Sequence, residues 1–291
     1  MINILITGAT GFVGANLLKK ILEGSNNRVA IVIRKSSNTW RIDKVKSQLA
    51  NIYFASLENK ADLEGVFFDF KPDVVYHTAT YGGFPGQVDQ DQTINSNIKA
   101  TVNLVDLAVK YGIRHFINTG SSSEYGLKNH PMKEDDSCQP ISLYGITKLA
   151  ATNYCTMIGK QQNETKICTL RLFSPYGDLE EPTRLYPSIR TSLLNNERPK
   201  LSRPESVRDF IPIEKVTDIY ARILNSAYES GDVINVGSGK QQTIEQFFNV
   251  VAKELNKEHL KPIWGEAAPR AHEPMVWEAD ITKLKKLISM E

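Results

Sequence analysis

The chain has 291 residues, a formal net charge of +2 and 41% hydrophobic residues, so it can bury a full core in one large or two modest domains. Its near-neutral charge includes no Lys/Arg run and no acidic tail, which excludes the basic stripe of a nucleic-acid-binding protein. No apolar stretch approaches the ~20 residues of a membrane span, and a first predicted strand at residue 2 leads us to expect no signal peptide.

The first predicted strand, 2–6, is an apolar run followed by glycines at three-residue intervals, Gly8, Gly11 and Gly14. Apolar residues at helical spacing come next, which predicts a strand, a glycine turn and a helix in that order. Such a turn lets the backbone approach a pyrophosphate and places the helix N-terminus at the phosphates. The motif predicts a dinucleotide site; a plain tight turn is the alternative. The predicted cofactor contacts here are Gly8, Thr10, Gly11, Phe12 and Val13.

The second predicted strand, 28–34, ends in Arg34, Lys35 and Ser36, and the first carboxylate after it is Asp43. Enzymes that select NAD usually have Asp or Glu at this position, where it bonds the ribose hydroxyls. Cations and hydroxyls suit a 2′-phosphate instead, so the segment predicts NADP(H) as the cofactor, with NAD possible. A solvated basic loop is the alternative, since Lys and Arg are common on surfaces.

Strands at 51–55 and 73–77, and helices at 62–70 and about 91–111, continue the alternation. His77 lies on the fourth strand among apolar residues. We therefore expect it to be packed or bonded to backbone rather than catalytic.

The fifth predicted strand, 115–119, runs into a serine segment that begins with Ser121, and Tyr144 and Lys148 follow at the start of a helix. Residues four apart share one helix face. Moving a hydride between a nicotinamide and a carbon–oxygen bond also moves a proton, which a phenol of pKa about 10 handles poorly. A nearby ammonium lowers that pKa, and a hydroxyl can hold the substrate oxygen. The pattern predicts catalytic Ser121, Tyr144 and Lys148; a solvated helix pair is the alternative.

Together these motifs resemble the extended short-chain dehydrogenases/reductases, specifically their nucleotide-sugar epimerases, dehydratases and reductases, over nearly the whole chain. The alternation of apolar strands and amphipathic helices predicts an α/β fold with a doubly wound parallel Rossmann sheet across most of the first 175 residues. We expect a dinucleotide-binding domain at 1–172 and a smaller C-terminal mixed α/β substrate domain at 173–291. About 209–239 is expected to return and pack on the first domain.

The resemblance also implies ligand contacts. On the cofactor side they are Leu57, Thr78, Ala79, Thr80, Asn97, Thr119 and Phe173, besides Tyr144 and Lys148. On the substrate side they are Tyr81, Ser121, Ser122, Ser123, Ser174, Arg184, Arg208 and Arg270. Two alternatives stay open. In the first, Asn97 is a solvated helix residue instead of a ligand contact. In the second, Arg208 is a structural partner of Asp209 instead of a substrate contact.

The chain departs from the family's pattern at several positions. Ser56 stands where an Asp often meets the adenine, and Ser174 replaces an Asn that usually touches the sugar or its phosphates. Ser122 and Ser123 stand where sugar 4,6-dehydratases carry acids, and Glu124 comes one place late. The serines at 122 and 123 and the late position of Glu124 disfavour a dehydratase.

We therefore expect NADPH-dependent reduction of a nucleoside-diphosphate 4-keto-6-deoxysugar in deoxysugar biosynthesis, with Tyr144 as the proton donor. An NAD-dependent nucleotide-sugar 4-epimerase uses the same three residues and is the alternative. A non-catalytic nucleotide-sensing protein of this fold is a third possibility, which the intact catalytic set disfavours. Relatives imply a homodimer. Three widely spaced cysteines without metal-ligand spacing favour free thiols, no metal site and a cytoplasmic location.

Overall fold

The structure, a computed structural model, describes residues 1–24, 26–84, 86–266 and 274–288. Its strands are β1 (Asn3–Thr7), β2 (Arg28–Ile33), β3 (Asn51–Phe54), β4 (Val74–His77), β5 (His115–Ser121), β6 (Lys166–Leu172), β7 (Ser174–Tyr176), β8 (Lys200–Leu201), β9 (Val207–Arg208), β10 (Phe210–Pro212), β11 (Asp232–Val236), β12 (Gln242–Thr243) and β13 (Ile263–Trp264). Its helices are α1 (Phe12–Gly24), α2 (Lys60–Phe70), α3 (Gln90–Ile94), α4 (Ala100–Lys110), α5 (Leu143–Gln161), α6 (Leu185–Leu194), α7 (Ile213–Ile223), α8 (Ile244–Glu254) and α9 (Thr282–Leu287). Short 3₁₀ turns cover Lys46–Gln48 and Ser122–Glu124, and a π-helical turn covers Asn95–Lys99.

A parallel sheet of seven strands lies at the centre of the described residues, in the order β11–β6–β5–β4–β1–β2–β3. Strand β1 is interior, and it pairs in parallel with β2 on one side and β4 on the other. The chain extends the sheet from β1 to β3 and then returns to place β4 beside β1. The strand order therefore reverses between β1 and β4. In open α/β sheets the ligand crevice lies outside the carboxyl ends of the strands at such a point.

Helices cover both faces of this sheet. On one face α1 and α7 bury Leu17 and Ile219 in a cluster with the sheet. On the other face α2, α4 and α5 bury Phe67, Leu104 and Cys155. Burial of each such apolar side chain contributes roughly 1.5–3 kcal/mol. The predicted α/β fold with a doubly wound parallel sheet is confirmed.

A third apolar cluster lies outside the sheet. Ile189 and Leu193 of α6 pack there with Phe247 and Phe248 of α8. The two-stranded pairs β8–β13 and β9–β12 belong to the same C-terminal part of the chain. This part is mixed α/β, and the domain boundary after residue 172 stays a prediction.

One predicted helix differs in the structure. The single helix predicted at about 91–111 is instead α3 and α4 with the π-helical turn between them. A π-helical turn widens the helix by one residue, which changes where its side chains point. At the sheet edge, β11 pairs in parallel with β6, so a segment from the last third of the chain completes the sheet.

None of the described helices combines the length and the hydropathy needed to cross a lipid bilayer. Within the same residues, no three His, Cys, Asp or Glu side chains are grouped so that they could hold a metal ion.

Candidate active site

The glycine turn between β1 and α1 is closed tightly against the neighbouring strand. Gly8 has a φ of 73°, which residues with side chains rarely adopt. A β carbon on Gly14 would lie 2.5 Å from Thr78 Oγ1 and would also collide with the Gly8 carbonyl. The first turn of α1 carries no acidic side chain that would repel a pyrophosphate. This end of α1 therefore fits a dinucleotide, as the sequence predicts.

Most other residues expected to contact the cofactor follow the carboxyl ends of β1, β3, β4 and β6. They are Thr10, Gly11, Phe12, Val13, Leu57, Ala79, Thr80 and Phe173. Two more are engaged in internal hydrogen bonds. The Thr78 hydroxyl donates to Thr7 O at 2.8 Å. The Thr119 hydroxyl lies 2.7 Å from the Tyr220 hydroxyl. The hydroxyls of these two threonines are therefore bonded to protein groups at the carboxyl edge of the sheet.

The loop after β2 presents positive charge to solvent. Arg34, Lys35 and Ser36 are all exposed. The first carboxylate in the loop, Asp43, pairs with Lys46 at 2.5 Å. The acid is therefore engaged within its own loop, while the cations remain accessible. The choice between NAD and NADP stays a prediction.

Tyr144 and Lys148 lie on the first turns of α5, beside the end of β5. Ser142 caps this helix, and its hydroxyl accepts from Gly145 N at 3.1 Å. A β carbon on Gly145 would lie 2.5 Å from Ser123 O, so the start of the helix directly contacts the serine segment. Tyr144 is half-buried and Lys148 is only 2% exposed. The fold brings the serine segment and both predicted catalytic residues of α5 to one place.

Burial raises the pKa of the Tyr144 phenol, while the neighbouring hydroxyls of Ser121 and Thr80 lower it. The pKa of Tyr144 is therefore raised overall, and the lowering expected from Lys148 is wrong. Removal of water from around the phenol outweighs the groups that stabilise the phenolate. Burial also lowers the pKa of Lys148, and the Glu124 carboxylate opposes that change. The phenol is held in its protonated form, which suits it to donate a proton.

Asn97 lies in the π-helical turn and is fully buried, so the solvated alternative is wrong. Its amide oxygen accepts from Thr80 Oγ1 at 3.0 Å and from Tyr81 N at 2.9 Å. Its amide nitrogen donates to Tyr81 O at 2.8 Å and to Thr147 Oγ1 at 2.9 Å. This one side chain ties the loop after β4 to α5 and fixes the hydroxyl of Thr80 beside Tyr144. Sequence reasoning missed Thr147, for which spacing along α5 offers no signal.

Glu124, the acid that comes one place late for a dehydratase, is buried in an ion pair. Its carboxylate accepts from Arg171 Nε at 2.9 Å and from Ser121 N at 2.7 Å. The second bond closes a capping box over the 3₁₀ turn. The next residue, Tyr125, is also buried, and its hydroxyl donates to Asn235 Oδ1 at 2.7 Å. Both side chains therefore have structural partners.

His77 is buried between two hydroxyls. Its Nδ1 lies 2.7 Å from Thr7 Oγ1 and its Nε2 lies 3.0 Å from Thr101 Oγ1. Burial lowers the pKa of His77 to about 3, and the charge of Lys148 acts in the same direction. The ring is a neutral, packed residue, as the sequence predicts, although its partners are hydroxyls rather than backbone.

The loop after β4 and the start of α6 approach Tyr144 from the substrate side. β carbons built on Gly82 and on Gly83 would each lie 3.6 Å from the Tyr144 ring. Arg184, the N-cap residue of α6, places its guanidinium carbon 5.3 Å from the centroid of the Phe84 ring. Its charge opposes the rise that burial imposes on the Tyr144 pKa. Arg184 thus lies within electrostatic reach of the phenol.

The predicted substrate serines differ in exposure. Ser122 is buried, whereas Ser121 and Ser123 are half-buried and accessible to a ligand. Tyr81 is also half-buried. Ser174 is half-buried on β7, and its backbone N–H donates to the carbonyl that precedes β10.

The two other predicted substrate arginines lie in the C-terminal part. Arg208 is buried on β9. The carboxylate of its neighbour Asp209 accepts from Ser238 N at 2.6 Å and from Gly239 N at 3.1 Å, which fixes the turn after β11. Arg270 lies outside the described residues. Contacts of either arginine with a diphosphate stay predictions.

Comparison with known proteins identifies similarity over most of the chain. A family model described as NAD dependent epimerase/dehydratase family matches residues 4–237. UDP-glucose 4-epimerase 2 of Arabidopsis thaliana is 25% identical over 285 residues, which cover 88% of this chain and 81% of that protein.

Two solved structures share the fold over almost its full length. The structure of UDP-N-acetylglucosamine 4-epimerase from Methanobrevibacter ruminantium M1 in complex with UDP-N-acetylmuramic acid has a TM-score of 0.86 and 25% identity, and covers 100% of this chain and 92% of that one. The structure of UDP-glucuronic acid 4-epimerase from Bacillus cereus in complex with UDP-glucuronic acid and NAD has a TM-score of 0.83 and 27% identity, and covers 99% and 93%.

Proposed function

The chain belongs to the NAD-dependent epimerase/dehydratase family, and from that premise we propose that it is a nucleotide-sugar 4-epimerase. The observation that carries the proposal is the half-buried Tyr144 phenol, which has the Ser121 and Thr80 hydroxyls beside it. The buried Lys148 ammonium follows one turn along the same helix. The similar proteins named above are 4-epimerases of UDP-sugars, which supports the sugar C4 as the reacting carbon.

In the proposed reaction, Tyr144 exchanges one proton with the sugar oxygen. It takes the proton as the alcohol becomes a ketone and returns it as the ketone is reduced, while Ser121 holds the same oxygen by a hydrogen bond. A nicotinamide held at the glycine turn would supply an acceptor and then a donor of the sugar's hydride, and the keto sugar would have to rotate between the two transfers so that its opposite face is reduced. The Ser121 and Thr80 hydroxyls favour the phenolate needed in the first half, because they lower the pKa of Tyr144. The raised pKa of Tyr144 favours protonation in the second half.

A 4,6-dehydratase is disfavoured by the acids that the site would need. Residues 122 and 123 are serines. The acid that directly follows the three serines, Glu124, accepts hydrogen bonds from Arg171 and from the Ser121 backbone. Because both contacts are internal, this carboxylate is not positioned to remove water from a sugar ring.

Reduction of a nucleoside-diphosphate 4-keto-6-deoxysugar is a second candidate, favoured by the exposed Arg34 and Lys35 after β2. A 2′-phosphate there would select NADP(H), which a reductase must bind and release in every turnover. An epimerase instead regenerates its own cofactor.

Product analysis separates the two candidates. The protein is incubated with UDP-glucose, UDP-N-acetylglucosamine and UDP-glucuronic acid, and 4-epimers are measured by NMR. The proposal expects one of them to be converted with no net change in cofactor redox state. NADPH consumption with a 4-keto-6-deoxy nucleotide sugar, without epimer formation from any UDP-sugar, would replace it with the reductase.

Cofactor choice is tested by Arg34→Asp. Each charge-assisted contact contributes roughly 1.5–3 kcal/mol, so this change should weaken NADP binding by about tenfold or more. NAD affinity, measured by the same titration, should not fall, because an Asp at this position can bond the ribose hydroxyls. Equal affinities for NAD and NADP in the unsubstituted protein would contradict the assignment of a 2′-phosphate site.

A further inference from the structure

Residues 177–181, the crossing segment, pass across the carboxyl edge of the sheet. The segment follows β6 and β7, and it contacts α1 and the loop after β2. Gly177 packs against Ile213 of α7, and Asp178 O accepts from Asn16 Nδ2 of α1, so the segment lies beside the glycine turn at the edge of the crevice between β1 and β4. This crevice is where a dinucleotide binds in such sheets.

Arg41 is the main link between the crossing segment and the dinucleotide-binding half. Its Nε donates to Leu179 O at 2.7 Å, and its Nη2 pairs with Glu181 Oε2 at 2.8 Å. Its Nη1 donates to Thr10 O, within the glycine turn, at 3.2 Å. One planar guanidinium therefore joins the crossing segment to the glycine turn, a geometry that lysine cannot reproduce.

The surroundings of Arg41 hold it in this position. Its side chain is 10% exposed, and the Trp40 ring lies 4.4 Å from its guanidinium carbon. Leu179, whose carbonyl it binds, has a φ of 65°, a left-handed conformation that residues with side chains rarely adopt. Nearby, Asn16 Nδ2 donates to Asp178 O at 2.8 Å and adds a second attachment.

Arg41 thus differs from the exposed Arg34 and Lys35 of the same loop. Its fork is already bound to two carbonyls and a carboxylate. These contacts suit it to hold protein segments together rather than to bind a 2′-phosphate.

We infer that Arg41 is a positioning residue that holds the crossing segment over the dinucleotide and sets the rate at which the cofactor leaves. The inference rests on the proposed function only in requiring that NAD or NADP binds in the crevice. It deepens that function, because an epimerase must keep its reduced cofactor until the hydride returns to the sugar.

Cofactor release tests the inference without any sugar. The protein is loaded with NADH or NADPH, the bound reduced cofactor is displaced by excess oxidised cofactor, and fluorescence gives the dissociation rate. Arg41→Ala should raise this rate at least about tenfold, since it removes charge-assisted hydrogen bonds. Arg41→Lys should fall between Arg41→Ala and the unsubstituted protein. Glu181→Gln, which leaves both carbonyl contacts, should raise the rate by about threefold.

Arg114→Ala is the matched control. Arg114 also forms an ion pair, with Asp73 at 3.4 Å, but at the amino edge of the sheet. Its removal should leave the release rate unchanged. The inference fails if Arg41→Ala stays folded by circular dichroism and releases cofactor within twofold of the unsubstituted rate. It also fails if Arg114→Ala accelerates release equally.

If Arg41→Ala does not fold, the ordering of Arg41→Lys and Glu181→Gln against the unsubstituted protein decides: both must release cofactor faster. Absence of epimerase and reductase turnover, combined with Arg41-dependent release, would remove the proposed function and leave this inference intact.

Discussion

At the scale of single residues, one hydroxyl group carries the proposed chemistry. Tyr144→Phe removes the proton donor and leaves the ring, so folding and cofactor binding should survive. Turnover should fall by about 10²–10⁴-fold, the usual contribution of general acid–base catalysis. Steady-state kinetics with the active UDP-sugar measures this, and cofactor titration checks binding.

Tyr154→Phe is a control on the same helix. It also removes one phenolic hydroxyl, which donates to Asp106 instead of facing the crevice, and it should leave turnover unchanged. Ser121→Ala should cost less than Tyr144→Phe because it removes one hydrogen bond to the substrate oxygen. Lys148→Met should slow turnover and weaken cofactor binding together. Near-normal turnover in a folded, cofactor-binding Tyr144→Phe would falsify the assignment.

His77 makes stability depend on pH. Its pKa is about 3 in the folded protein, against the usual 6.5, because it is buried. The unfolded chain therefore binds a proton below pH 6.5 that the folded protein does not, so stability is full above 6.5 and falls as the pH drops toward 3. The slope from this one group is about 1.4 kcal/mol per pH unit.

Urea unfolding at pH values between 6 and 4 measures that slope. His77→Gln should reduce it by about one proton's worth, whatever the substitution does to the absolute stability. His259→Gln, which changes an exposed histidine, is the control and should leave the slope as it was. An unchanged slope in His77→Gln would show that another group causes the acid sensitivity.

At the scale of elements, the packing of α1 on the sheet depends on Gly14. A β carbon there would meet the Gly8 carbonyl and Thr78 Oγ1, and such overpacking costs about 1–3 kcal/mol. Gly14→Ala should therefore lower the free energy of unfolding by that amount and weaken cofactor binding. Chemical denaturation and cofactor titration measure the two effects.

Gly65→Ala is the matched control for Gly14→Ala. Gly65 lies within α2, and a β carbon there would meet nothing within 4 Å. Alanine at an exposed helix position is favoured over glycine by about 0.8–1.0 kcal/mol. The two glycine substitutions should thus change stability in opposite directions. If both substitutions raised the free energy of unfolding equally, helix propensity and not the contact with the glycine turn would determine the effect of residue 14 on stability.

Elements were predictable where the signal is local. The predicted strands 2–6 and 28–34 agree within one residue with β1 (Asn3–Thr7) and β2 (Arg28–Ile33), because the apolar run that predicts a strand consists of neighbouring residues. The π-helical turn at Asn95–Lys99 was not predictable. It positions Asn97 to bond Thr80, Tyr81 and Thr147, contacts that exist only after the loop and α5 have packed.

At the scale of the whole molecule, the same limit applies to contacts between distant segments. The fold class followed from the alternation of elements, yet the role of Glu124 did not, because its partner Arg171 lies 47 residues away. Sequence spacing showed only that Glu124 comes one place later than the acids of a dehydratase. The Arg41 contacts with 179 and 181 cross about 140 residues. No pattern within the loop after β2 indicates them.

A homodimer is our last prediction, and it concerns the outer faces of α3 and α5. Three large apolar side chains are exposed there, Ile94 at 42%, Ile146 at 50% and Met157 at 45%. Ile146 and Met157 lie eleven residues apart on α5, so they share one helix face. Exposed apolar side chains on one helix face favour a protein–protein interface. We expect a second copy of the chain to cover them.

Light scattering at micromolar concentration should give twice the mass of one chain. Ile146→Glu should reduce that mass to one chain, because it places a charge in a desolvated interface. Phe68→Glu is the control, since Phe68 is 70% exposed on α2, away from α3 and α5, and the same change there should preserve the dimer. A single-chain mass for the unsubstituted protein would refute the prediction. Dissociation by Phe68→Glu with retention by Ile146→Glu would place the interface on α2 instead.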